Sequence, residues 1–125
     1  QYIQELDTIF AIDELGTVYS IDPDTFVTEE SICVTLDGKP LDLINELEWV
    51  DGSIWANIYL TDAIVEIDPE TGVVLGYVDM PRLRDLLEDN PQAEAFNGGA
   101  YNPDNGHFYV TGKDWNRLFE IEIIK

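Results

Sequence analysis

Apolar residues along this chain come in short runs, many alternating with polar ones, and each run closes on a cluster rich in Asp, Pro or Gly. Such alternation is the mark of half-buried β-strands rather than helices. The most regular stretch is Asn45 to Asp68. Within it Leu47 to Val50 reads as a strand, Asp51-Gly52 as a two-residue hairpin turn, and Ser53 to Tyr59 as the returning strand. Asp-Gly tolerates the positive φ angles that a tight hairpin needs. A second turn at Leu60 to Asp62 leads into a strand from Ala63 to Ile67.

Weaker copies of this grammar lie on both sides. Upstream, Thr8 to Ile12 and Thr17 to Ile21 read as strands around a turn at Asp13 to Gly16. Asp22-Pro23-Asp24-Thr25 is a turn signal, Phe26 to Thr35 is a β-branched strand, and Leu36 to Leu43 is a loop. Downstream, the turn Asp68 to Gly72 precedes a strand from Val73 to Val78. Pro81 and the leucines after it have helical spacing, so a short helix is expected around 81–90, ended by Asn90-Pro91. Asn97 to Tyr101, His107 to Thr111 and Arg117 to Ile123 are further strands, with a turn at Asn102 to Gly106.

The repetition is measurable. Ile21-Asp22-Pro23-Asp24-Thr25 returns 46 residues later as Ile67-Asp68-Pro69-Glu70-Thr71, and Ala63 to Ile67 returns 54 residues later as Arg117 to Ile121. Short strands in groups of four, at a period of roughly 40–50 residues, are the signature of β-propeller blades. The expected class is all-β, as one complete blade and two partial ones in a single partial propeller domain. Residues 7–42 form a partial blade, 43–80 a full blade, 81–95 a helical excursion and 96–125 a partial blade. The first copy lacks an innermost strand unless Tyr2 to Leu6 supplies it. Closed propellers typically have about four to eight blades, so this chain reads as part of a ring, or as a module that closes its ring with another chain.

Charge changes the list of partners. With 26 acidic against 6 basic residues the net charge is −20, which argues against nucleic acid phosphates and anionic membranes as partners. Apolar runs fall short of the roughly 20 residues a membrane helix needs. Tyr2 to Asp7 carries acids and no basic start, so no signal peptide is expected at the head of the chain, though a processed, exported protein would read the same way. Cys33, the single cysteine, lies between Ile32 and Val34 and reads as an inert strand residue. No zinc or nucleotide motif is present. No cofactor is expected; the Asp-rich turns offer calcium ligands, but plain turns carry the same acids.

Several motifs occur together and in one order: Asn45-Glu-Leu-Glu-Trp49, Trp55-Ala-Asn57, Thr61-Asp62, Ile67-Asp68-Pro69-x-Thr71-Gly72, Asn97-Gly98, Val110-Thr-Gly-Lys113 and Trp115-x-x-Leu-Phe-Glu120. From about residue 7 onward the chain resembles the plant and bacterial type of glutaminyl-peptide cyclotransferase, a five-bladed β-propeller, over roughly the C-terminal half of that family's length. The resemblance implies conversion of the N-terminal Gln of a peptide or protein to pyroglutamate with release of ammonia, and a secreted or periplasmic location. It implies a site at the mouth of the central channel, with Asn45 and Asn97 at starts of innermost strands, Tyr59 where the family often has tryptophan, and Lys113 as a charged rim residue. No catalytic residue is assigned. The family's glutamate-bearing strand starts belong to earlier blades without a counterpart here, so this chain alone lacks a proton donor for ammonia.

Each of these residues also has a plainer reading. Asn45 can bond its own backbone, Tyr59 can pack on the rim, and Lys113 can serve a local ion pair. Trp49 and Trp55 read as core, and His107 as solvent-exposed. Glu46 and Glu48, two apart on a strand, point the same way and form a possible carboxylate pair. The alternative to a cyclotransferase portion completed by missing blades is a non-catalytic propeller module that binds proteins or ligands and assembles with a second copy of itself. Another propeller binder of sugars or peptides is a third reading.

Overall fold

The computed structural model describes residues 1–87 and 93–124, and its architecture is three stacked antiparallel sheets. The first holds β1 (Tyr2–Ile3), β2 (Thr8–Ile12), β3 (Thr17–Ile21) and β4 (Thr28–Cys33) in chain order. A small hairpin of β5 (Thr35–Leu36) and β6 (Lys39–Pro40) follows. The middle sheet holds β7 (Ile44–Val50), β8 (Ser53–Ile58), β9 (Ala63–Ile67) and β10 (Val74–Asp79), again in order. After the short helix α1 (Pro81–Asp85) comes the last sheet, β11 (Phe96–Asn102), β12 (His107–Gly112) and β13 (Phe119–Ile121). This meander of short strands, sheet stacked on sheet, is the blade arrangement of a β-propeller, and it does not close into a ring.

The turns explain why the strands stop where they do. Asp51 and Gly52 both take positive φ, 48° and 86°, as the two-residue hairpin requires. The recurring Asp-Pro turn is an Asx turn: Asp22 Oδ1 accepts the Asp24 and Thr25 N–H groups at 2.8 and 3.0 Å. Asp68 Oδ1 does the same for Glu70 and Thr71 at 2.8 and 3.3 Å. Each turn ends on a left-handed residue, Gly72 at φ 76° and Gly106 at φ 74°, but Phe26 at φ 58° in the first copy. Phe26 therefore belongs to the turn, and β4 starts two residues later than its β-prone sequence suggests.

Three further departures have local causes. Tyr2–Ile3 pairs with Thr8–Ile9 and supplies the first sheet's innermost strand, before a 3-10 turn over Gln4–Leu6. The stretch read as a loop folds as the β5–β6 hairpin, with Asp37 and Gly38 at positive φ. The helix places Pro81 at its first position and ends at Asp85; its expected close at Asn90-Pro91 lies outside the described residues.

Two cores hold the stack. Between the first and middle sheets, Phe10, Val18, Ile44, Ile54, Val65 and Ile67 are buried, with Val65 and Ile67 completely so. Between the middle and last sheets, Trp55, Ile64, Phe96, Phe108 and Val110 form a more aromatic cluster. Burial of such side chains stabilises by about 1.5–3 kcal/mol each.

Candidate site at the strand starts of the middle and last sheets

The antiparallel order puts the start of each innermost strand beside the end of the next one. In the middle sheet Asn45 of β7 is paired with Asn57 of β8, and Tyr59 lies two residues beyond, just past the end of β8. In the last sheet Phe96 of β11 is paired with Gly112 of β12, so Asn97 and Lys113 flank that register. All four residues singled out by sequence therefore stand at the same end of the stack.

Two of them touch. Asn45 Nδ2 donates to Asn97 Oδ1 at 2.7 Å, across the junction of two sheets and 52 residues of chain. The contact depends on a pair of bulges. In β7 the register shifts between Asn45 and Glu48, with Glu46 at φ 56°; in β11 it shifts between Phe96 and Gly99, with Gly98 at φ 109°. A bulge after a strand's first residues bends the strand and re-aims the side chain there. Both asparagines sit directly before the left-handed residue, so the same device turns both toward the junction. The Asn97-Gly98 dipeptide announces the second bulge in the sequence; nothing at Glu46 announces the first, and its left-handed backbone costs roughly 1–3 kcal/mol.

Tyr59 is 39% exposed and lines a concavity open to solvent together with Asn45, Leu43, Ile12, Asp13 and Glu14. Asp13 is held ionised, below the usual carboxylate range, chiefly by the Thr17 N–H at 2.9 Å and then by the Tyr19 hydroxyl at 2.7 Å. Lys113 ion-pairs with Glu94 at 3.1 Å, and that partner keeps the ammonium charged, its pKa above the ordinary lysine value. The excursion that carries Glu94 is pinned by Arg84, which binds Asp62 and the Glu94 carbonyl, each at 3.1 Å. Lys113 is thus a paired, exposed cation.

Glu46 and Glu48 both line a narrow crevice behind the Asn45–Asn97 contact. Burial pushes the Glu48 carboxyl above the usual range, against hydrogen bonds from Gln1 and the Tyr101 backbone that pull it down. Trp55 is core, and Trp49 packs partly buried against the first core, its indole N–H donating to Glu5. His107 is half-buried and paired with Glu120 at 2.6 Å, rather than free in solvent. Among the described residues no three His, Cys, Asp or Glu groups converge to hold a metal ion.

The family model for glutamine cyclotransferase matches residues 4–123. The chain belongs to that family. It is similar to the glutaminyl-peptide cyclotransferase of Arabidopsis thaliana, 32% identical over 117 residues that make up 92% of this chain and 37% of that protein. The crystal structure of Myxococcus xanthus glutaminyl cyclase superposes with a TM-score of 0.82 at 39% identity, covering 90% of this chain and 50% of that one. The WD40 β-propeller domain of Doa1 matches at a TM-score of 0.56 and 12% identity, over 90% of this chain and 32% of that one, which speaks to the propeller fold alone. The chain spans half or less of the length of each of these proteins.

Proposed function

We propose that this chain supplies the substrate-positioning rim of a glutaminyl-peptide cyclotransferase whose ring is completed by blades outside it. The reaction closes the N-terminal glutamine of a peptide on itself: the α-amine attacks the side-chain carboxamide carbon, an oxyanion forms, and ammonia leaves. Because amine and carbonyl belong to one residue, the chief tasks are to fold that residue into attack geometry, steady the oxyanion and protonate the leaving group.

The observation that carries the reading is the Asn45–Asn97 hydrogen bond. An amide side chain has two N–H donors and a carbonyl acceptor. After their mutual bond, Asn45 keeps one N–H and its oxygen, and Asn97 keeps both N–H groups. The pair is thereby a rigid block of donors suited to a developing oxyanion, with the Asn45 oxygen as an acceptor for the α-amine. Tyr59 is the aromatic wall beside it, and Lys113, held cationic by Glu94, offers a charge for the peptide's backbone carbonyls. The acid that protonates ammonia is assigned to the missing blades, since Asp13 is kept ionised and bound in its own turn.

The test is ammonia release from a glutaminyl dipeptide by the intact protein that carries this chain, beside its Asn45→Ala variant. We expect kcat to fall by about 10²–10³-fold with the fold retained. An unchanged kcat would remove the asparagine pair from the mechanism, and binding of the peptide without any turnover in the unaltered protein would favour the non-catalytic module.

A further inference from the structure

The excursion between the middle and last sheets is tied to both of them through one side chain. Arg84 of α1 reaches two elements at once: its Nη2 pairs with Asp62 Oδ1 and its Nη1 donates to the Glu94 carbonyl, each at 3.1 Å. Asp62 closes the turn that begins at Tyr59. The Glu94 carbonyl accepts a second bond, from the Trp115 indole N–H at 2.9 Å, so both of its lone pairs are engaged. The Arg84 guanidinium also lies over the Trp115 ring, 5.5 Å from its centre, where the aromatic face attracts a cation. That ring is itself fixed. It lies 5.9 Å from Phe96 and edge-on to Phe119, and a Cβ on Gly112 would run into it.

On its other side Glu94 meets Lys113. Main-chain bonds join the Glu94 N–H to the Lys113 carbonyl at 2.9 Å and the Lys113 N–H to the Ala95 carbonyl at 3.0 Å, and the two side chains pair at 3.1 Å. We propose that Arg84, with Trp115, is a positioning residue: by clamping the Glu94 carbonyl against the turn that follows β8, it holds the Glu94 carboxylate on Lys113 and sets where that cation stands beside Tyr59. The Lys113–Glu94 pair needs such help. Both side chains are more than half exposed, and an exposed pair loses side-chain entropy to keep one geometry and gains little from water-screened attraction. Fixing the Glu94 backbone from both faces removes part of that cost. Arginine suits the task because its planar fork serves a carboxylate and a carbonyl in different directions at once, which an ammonium does less rigidly. The clamp does not depend on the proposed reaction; the effect of Lys113 on the peptide rests on that reading.

The test is the titration of Lys113 in the intact protein, followed by NMR of its side-chain nitrogen, beside Arg84→Ala and Trp115→Phe. In the unaltered protein Lys113 titrates above the ordinary lysine value, through Glu94 first, with Asp114 and Tyr59 adding to it. Loss of a nearby cation would by charge alone push a lysine pKa further up, whereas loss of the clamp releases Glu94 and brings it down. We expect a fall toward the ordinary value in both variants. Trp115→Phe keeps a ring in place and removes the N–H; Arg84→Ala, at a side chain 41% exposed, keeps the test decisive if that variant fails to fold. An unmoved or raised Lys113 pKa in Arg84→Ala would overturn the assignment. In turnover of a glutaminyl dipeptide, Arg84→Ala should raise KM about two- to five-fold, the worth of one exposed ion contact, with kcat unchanged. In a Lys113→Met background the same change should do nothing further, and a KM effect that persists there would show that Arg84 does not act through Lys113. The titration involves no turnover, so a failure of the clamp and a failure of the cyclotransferase reading are told apart.

Discussion

The two junctions of this stack are built from different materials. Between the first and middle sheets the buried contact is apolar and mostly aliphatic, with Val18, Val34, Val65 and Ile67 almost completely buried. Between the middle and last sheets the aromatics Trp55, Phe96 and Phe108 share the space with Asn57, Glu48 and the asparagine pair. The first arrangement maximises apolar area removed from water. The second accepts polar groups that are expensive to bury and holds two bulged strands, one with a non-glycine residue in left-handed backbone. The two interfaces thus differ in polarity, and Glu46, beside the asparagine pair, adds a left-handed backbone to the polar one.

The difference can be broken from either side. The largest effect is expected at the second junction. Asn97→Ala should cut turnover of a glutaminyl peptide in the intact protein by about 10²–10³-fold, and Asn45→Ala/Asn97→Ala should lose little more than either alone, because the two act as one unit. Multiplying effects in that cycle would show two independent groups instead.

At the first junction Ile67→Ala should lower stability by about 2–5 kcal/mol, read by denaturant unfolding of the protein, because its pocket is sealed and cannot collapse fully. A loss below 1 kcal/mol would mean that this core is looser than its burial implies.

Next comes the backbone. Phe26→Gly should stabilise by about 1 kcal/mol, since Phe26 is 73% exposed and stands where the other two copies of its turn have left-handed glycines. Glu46→Gly should relieve similar strain but lower kcat, because the bulge it loosens aims Asn45. Equal behaviour of the two variants would dissolve the contrast between the junctions.

The smallest effect concerns pH. Glu48 has a raised carboxyl pKa in the folded chain, so the folded state holds that proton more tightly than the unfolded one. Its favourable contribution is fully present below the unfolded pKa and is lost as pH rises through the folded value. Glu48→Gln should therefore melt higher than the unaltered protein at neutral pH, with the gap closing on acidification below the ordinary carboxylate range. A gap independent of pH would assign the effect to packing.

Much of this was readable from the chain alone. Apolar β-prone or alternating runs bounded by turn signals marked Thr8–Ile12, Thr17–Ile21 and Ala63–Ile67 to the residue, because strand propensity and turn chemistry are local properties. The repeated Asp-Pro turns exposed the blade period for the same reason, and the motif order pointed to Asn45, Tyr59, Asn97 and Lys113 as candidates. Only tertiary structure joined Asn45 to Asn97, 52 residues apart, since that bond needs two sheets stacked in register and two bulges to aim the side chains. The left-handed Glu46, the orphaned oxygen of Asn57 and the elevated carboxyl of Glu48 belong to the same class. Local sequence determines what a strand or turn is; burial, register and long-range partners exist only once the sheets are packed.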